Sequence, residues 1–236
     1  MIRVLSFDVW NTLLDIDKFY QILSVKISSE VGRPYDEIYK TLKRVYRDAI
    51  SERLSGGFKR IIIDSGEYFA EGLGIDLETL FRALVRTLLD EEIRDLAYED
   101  VLDTLKDLKK RGFLIGVVSN VMFWPGMIVR YLLHMNNLLE FFNATVFSDE
   151  IGFMKPEKEI FEYLAKRFNV KLEEIVHVGD SLEHDLVGAL RAGVRSVLVK
   201  RDLEADFIRL SRRAYVIRGL RHLWRVLEDI GSDKTP

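Results

Sequence analysis

Four short polar clusters interrupt the apolar runs of this chain, and each carries side chains that can do chemistry. Asp8 ends the run from Ile2 to Phe7 and is followed by Trp10, Asn11 and Thr12. Ser119 and Asn120 follow the run from Phe113 to Val118. Lys155 and Pro156 come after Ala144 to Phe147, and Gly179, Asp180 and Ser181 close the segment from Glu174 to Val178. A carboxylate such as Asp8 can attack an electrophile and form a covalent intermediate. A lysine such as Lys155 supplies a point positive charge that orients the carboxylate and offsets negative charge growing in a transition state. Ser119 and Asn120 can hold anionic oxygens. Two carboxylates, Asp8 and Asp180, brought together without a partner repel each other and lose hydration. A hard dication is their natural partner. Magnesium, which takes one or two carboxylates and keeps places for water and phosphate oxygens, suits this supply of ligands.

The elements that must position these groups alternate between strand and helix after Leu96. The spacing predicts a helix over 101–110 stopped by Gly112, a strand over 113–118, a helix over 127–135 and a strand over 144–147. A helix over 157–168, a strand over 174–178, a helix over 182–191 and a strand over 194–199 follow. Residues 214–217 read as an edge strand, 220–227 as a last helix, and Gly231 to Pro236 as a frayed tail. Strands separated by helices make an α/β fold, a Rossmann-like doubly wound parallel sheet covered on both faces, with reactive groups outside the carboxyl ends of its strands. Between the first strand and this alternation the rhythm is helical. Tyr20, Leu23 and Ile27 form one stripe and Ile38, Leu42, Val45 and Ala49 another; Ile62, Tyr68 and Phe69 sit in a third segment, and Leu80, Leu84 and Leu88 mark a fourth. The predicted division is therefore a core of residues 1–16 and 95–236 and an inserted α-helical bundle of residues 17–94.

Composition narrows the function classes. The chain has 236 residues, 48% of them hydrophobic and 31% charged, which supports a substantial core and excludes a disordered chain. A net charge of −3 without a long basic run argues against a nucleic-acid partner. The absence of cysteine excludes disulfides and thiolate metal sites. The N-terminal apolar run is too short for a membrane span and lacks a signal-peptide cleavage site, so a soluble, cytoplasmic protein without a membrane partner is expected. Monomer and homodimer are equally compatible with the sequence.

The order and spacing of the clusters resemble those of the haloacid dehalogenase (HAD) superfamily. Its first motif is matched by Phe7-Asp8-Val9-Trp10-Asn11-Thr12-Leu13 and its second by Val118-Ser119-Asn120. Gly152-Phe153-Met154-Lys155-Pro156 matches the third, and Val178-Gly179-Asp180-Ser181 with Asp185 and Gly188-Ala189 the fourth. The resemblance implies a hydrolase with Asp8 as nucleophile, Ser119 and Lys155 as its catalytic companions, and Asn11, Thr12 and Asn120 on the substrate. It implies a magnesium site of Asp8, the backbone carbonyl of Trp10, Asp180 and Asp185, with Asp185 serving through water or by orienting Lys155. The helical insertion lies where this superfamily places its cap, and a small phosphorylated metabolite is the implied substrate.

Two positions depart from the pattern. Phosphatases of the superfamily usually carry a second Asp two residues after the nucleophile, as general acid and base. Here that residue is Trp10, which can do neither and could instead wall the substrate pocket. The 2-haloacid dehalogenases also carry an aromatic residue there, because halide leaves without a proton, but they lack the metal-binding carboxylate that Asp180 supplies. Their substrate-gripping cap arginine could correspond to Arg44 or Arg47. The acidic pair favours a magnesium-dependent phosphatase acting through an aspartyl-phosphate. A metal-independent dehalogenase and a catalytically inactive binding protein are the alternatives. Outside the motifs, His177 reads as a satisfied sheet residue, His184 as an exposed helical one, and Phe123-Trp124 as lining the mouth of the pocket.

Overall fold

In the computed structural model, which describes residues 1–232, β1 (Val4–Phe7) lies inside a seven-stranded sheet. It is flanked by β2 (Leu114–Ser119) and β4 (Ile175–Gly179), with β3 (Ala144–Phe147) beyond β2 and β5 (Arg195–Val199) beyond β4. These strands are parallel, as the buried, branched runs require. The chain leaves β1 towards β2 and β3, then crosses to β4 and β5 on the other side. Asp8, Ser119 and Asp180 therefore emerge at carboxyl ends on both sides of the reversal in strand order, where doubly wound sheets place their ligands.

Residues 214–217 form a strand, but it is not an edge. β6 (Phe207–Ser211) pairs antiparallel outside it, so the segment at Ala214–Ile217 is β7 and is buried. β6 escapes a reading by apolar runs because four of its five residues are exposed and Arg209 interrupts it. The helix expected over 182–191 opens as a π-helical turn, Leu182–Val187, before continuing as Gly188–Ala192. The last helix runs Leu223–Ser232, so Gly231 and Ser232 of the expected tail are helical; residues 233–236 lie outside the described residues.

Two compact units result. The first, Met1–Leu14, Ala97–Asn120 and Asn137 onward, is the sheet with its covering helices. Val4, Val118, Val146 and Ile175 pack there against Ile160, Phe161 and Leu164 of the helix Lys158–Phe168.

The second unit, Asp15–Leu96 with Val121–Asn136, is helical. It contains α1 (Ile16–Val31), α2 (Tyr35–Leu54), α3 (Ile61–Leu73) and α4 (Leu77–Leu88). Asp15 and Asp76 cap α1 and α4 by accepting backbone N–H bonds, and Gly32 and Gly74 end α1 and α3 in the left-handed conformation. The expected division thus shifts, because residues 121–136 pack with the helices rather than with the sheet. Phe123 packs on Phe69 and Trp124 on Phe19 and Tyr20, while the Asn136 amide bonds Leu96 and Ile93. Those two aromatics are buried in the core of the helical unit, which corrects their reading as pocket-lining residues.

Candidate active site

Asp8 follows β1 directly, its backbone held to the end of β4 by a 2.9 Å bond from its N–H to the Val178 carbonyl. The residue is buried, 8% exposed. Two donors converge on Oδ1: the Ser119 hydroxyl at 3.0 Å and the Lys155 ammonium at 2.6 Å. Burial pushes the Asp8 carboxyl above its ordinary value; Lys155 works against that rise and Asp185 adds to it.

Lys155 is placed by its backbone before its charge acts. The Asn120 amide clamps it twice, donating to the Lys155 carbonyl and accepting from its N–H, both at 2.9 Å. Gly188 comes so close to Pro156 that an added Cβ would lie 2.9 Å from the proline Cα. The lysine side chain is then buried between Asp8 and Asp185, with Nζ 2.6 Å from Oδ1 of each. Burial disfavours its charge, but Asp185 and Asp8 outweigh burial and hold the amine above its ordinary value.

Asp185 sits in the π-helical turn, where it is fully enclosed. Oδ1 also lies 3.0 Å from His177 Nε2, and Oδ2 accepts from the Ser181 N–H at 2.9 Å. Against burial, Lys155 and His177 keep this carboxyl well below the ordinary range. Gly179 makes the arrangement possible, since a Cβ there would lie 2.1 Å from the Asp185 Cγ. His177 is buried and neutral, because burial lowers its basicity more than Asp185 restores it.

Asp180 has far less support. Its side chain accepts one bond, from the Asn11 amide at 3.1 Å. Asn11 reaches it from a left-handed backbone conformation (φ 57°), which asparagine tolerates better than most residues. Burial, then Asp8 and Asp185, raise the Asp180 carboxyl to about 7. Oxygens of Asp8, Asp180 and Asp185 lie within 4.8 Å of one another. Ionised, the three carry three negative charges, and Lys155 neutralises one. The remaining two match a hard, oxygen-seeking dication, so this donor set fits magnesium.

The structure therefore brings Asp8, Asn11, Ser119, Asn120, Lys155, Asp180 and Asp185 together. It corrects the reading of His184 and supplies partners for Asn120 and Arg44. Asn120 holds the Lys155 backbone with both ends of its amide. His184 is half-buried, its Nδ1 2.9 Å from the Ser181 hydroxyl, because the π turn carries it inward. Arg44 lies on α2 in the helical unit, exposed and paired with Asp48 one turn on at 3.5 Å, the geometry of a surface ion pair. Thr12 is buried, and its carbonyl accepts from Arg201 at 2.9 Å. Trp10 is buried as well, in the turn closed by Asn11 N–H and the Leu14 carbonyl. Sequence reasoning missed what Ser6 and Ser196 do. The available signal was a hydroxyl inside each of two otherwise apolar strands, since a buried polar group needs a partner.

The family model for haloacid dehalogenase-like hydrolases matches residues 2–193. The chain belongs to that family. It is 37% identical over 249 aligned residues to a glyceraldehyde 3-phosphate phosphatase of Pyrococcus furiosus, covering 99% of this chain and 96% of that protein. A glyceraldehyde 3-phosphate phosphatase of Methanothermobacter thermautotrophicus is 31% identical over 218 residues, or 86% of this chain and 88% of that one. Among solved structures, a HAD phosphatase from Thermococcus onnurineus superposes with a TM-score of 0.65 at 26% identity, covering 96% of this chain and 98% of the other. A HAD hydrolase with phosphatase relatives is thus the coarse assignment. Among the described residues, no helix is long and apolar enough to cross a membrane.

Proposed function

We propose that the protein is a magnesium-dependent phosphatase acting on a small phosphorylated metabolite through an aspartyl-phosphate on Asp8. The observation that carries this reading is the charge imbalance of the site, three converging carboxylates against one bonded ammonium. Asp8 and Asp180 would hold the ion, with Asp185 reaching it through water and the Trp10 carbonyl as a further ligand. When bound, magnesium would draw the two anions together and offset the charge of the phosphoryl oxygens.

The chain's own residues supply the rest. Asp8 attacks phosphorus while the bond from phosphorus to the leaving oxygen breaks. Lys155 and Ser119, both donating to Oδ1, fix the direction of the carboxylate and keep it from rotating away. Lys155 also offsets charge in the transition state. Water then attacks the phosphorus of the aspartyl-phosphate, releasing inorganic phosphate and restoring Asp8. Trp10 offers no proton to the leaving group, so substrates whose leaving oxygen is already a weak base should react fastest.

The relatives named above make glyceraldehyde 3-phosphate the first substrate to try. The test is phosphate release from a panel of phosphorylated metabolites and an aryl phosphate, with magnesium and then with chelator. Release that needs the metal is expected. Halide release from 2-chloropropionate that ignores chelator would overturn the reading in favour of a dehalogenase. No turnover of either class would favour a binding protein.

A further inference from the structure

Three polar residues stand in one row across the middle of an apolar sheet. Ser6 on β1 is in register with His177 on β4, and His177 with Ser196 on β5. All three are fully buried. The Ser6 hydroxyl lies 2.9 Å from His177 Nδ1, and His177 Nε2 lies 3.0 Å from Asp185 Oδ1. The Ser196 hydroxyl donates to the backbone carbonyl of the same Asp185 at 3.1 Å. The row thus meets the π-helical turn at one residue, gripping its side chain and its backbone.

We propose that His177 is a positioning residue of the active site, held in its Nε2–H tautomer by the Asp185 carboxylate and steadied at Nδ1 by Ser6, and that it aims Asp185 at Lys155 and so holds the ammonium on Asp8. The direction of each bond follows from the donors available. An ionised carboxylate can only accept, so the single ring proton must be on Nε2. Nδ1 is then an acceptor, and Ser6 must donate to it. Asp185 Oδ1 consequently receives two donors from different directions, His177 and Lys155, which leaves its carboxylate no free rotation. A purely structural account has less to say about this row. An aliphatic side chain at 177 could pack against Phe161, whose ring meets the imidazole edge to face at 5.1 Å, without needing Ser6 at all.

This inference rests on the catalytic roles given above to Asp8 and Lys155, yet its test does not depend on the phosphatase reading. kcat is measured on whichever substrate class the wild type turns over. His177→Leu should lower kcat by about 10–100-fold, the usual cost of losing such a supporting contact, with KM changed far less. His177→Gln, whose amide can still donate to Asp185, should recover part of that loss. In the wild type, nitrogen NMR of the imidazole should show the proton on Nε2. Ser6→Ala, a small change that keeps the fold, removes the bond at Nδ1 while leaving the proton on Nε2, and should lower kcat more modestly. A wild-type ring protonated on Nδ1, or a folded His177→Leu enzyme with wild-type kcat, would overturn the proposal. If His177→Leu does not fold, Ser6→Ala decides it, and a folded Ser6→Ala enzyme with wild-type kcat would be fatal.

Discussion

Asp180 and Asp185 are five residues apart, the first half-buried and the second fully enclosed, and they are supported in opposite ways. Asp185 has a lysine, a histidine and a backbone N–H around its two oxygens, and its carboxyl is held well below the ordinary range. Asp180 has one asparagine amide, and its carboxyl is raised to about 7. Burial acts on both. What differs is the supply of donors from the chain itself. Asp185 has its donors within the chain and holds Lys155; in the function proposed above, a cation from outside would complete Asp180. On that proposal the contrast separates a carboxylate that builds the site from one that would recruit a cofactor, although they share one motif.

The largest expected effect concerns the residue both corners face. Asp8→Asn, nearly isosteric, should lower kcat by about 10⁴-fold or more while leaving the circular dichroism spectrum unchanged, because nucleophile and metal ligand are lost together. Activity near wild type would remove Asp8 from the reaction. Lys155→Met should lower kcat by about 10²–10³-fold, the scale for removing one charge-stabilising donor. It should also destabilise the fold, since Asp185 would lose the ammonium that holds it ionised. A stable, active Lys155→Met enzyme would mean that Asp185 is not the built corner described above.

Asp180 offers the sharpest test of the contrast. A carboxyl raised to about 7 in the fold from about 3.8 in the unfolded chain contributes stability that is fully present below 3.8 and is lost as pH rises towards 7. In metal-free protein, Asp180→Asn should therefore melt higher than wild type, with the difference growing between about pH 4 and 7 and then levelling. Roughly 5–10 °C is expected at the plateau. Excess magnesium should reverse the order by stabilising the wild type alone. A difference in melting temperature that ignores pH would contradict the account of Asp180. The smallest effect is at Trp10. Trp10→Asp should raise kcat for an alkyl phosphate by about tenfold, within the range of general acid catalysis, and change little for an aryl phosphate with a good leaving group. Equal effects on both would place the bottleneck elsewhere.

Much of this was legible in the sequence because strand ends announce themselves. β3 falls at the residues its apolar run marks out, and Asp8, Ser119, Lys155 and Asp180 were all found from the polar residues that end or follow such runs. The helical unit was legible from its stripes, except for residues 121–136. Those lie within the strand–helix alternation in sequence, and only the docking of Phe123 and Trp124 onto aromatics far along the chain reveals where they belong. The hold of Asn120 on Lys155 was hidden for a similar reason, since the two are 35 residues apart. The row of Ser6, His177 and Ser196 could not be assembled without strand register, because a one-residue slip would send each side chain to the opposite face. Local pattern shows which residues are unusual; pairing across the sheet shows what they hold.

Calorimetric titration of magnesium into the wild type and into Asp180→Asn at pH 8 tests most directly whether Asp8 and Asp180 share a divalent ion. One ion per wild-type chain and no measurable binding to the variant is the predicted result. Equal binding by both proteins, or none by a wild type that still turns over substrate in excess chelator, would contradict it.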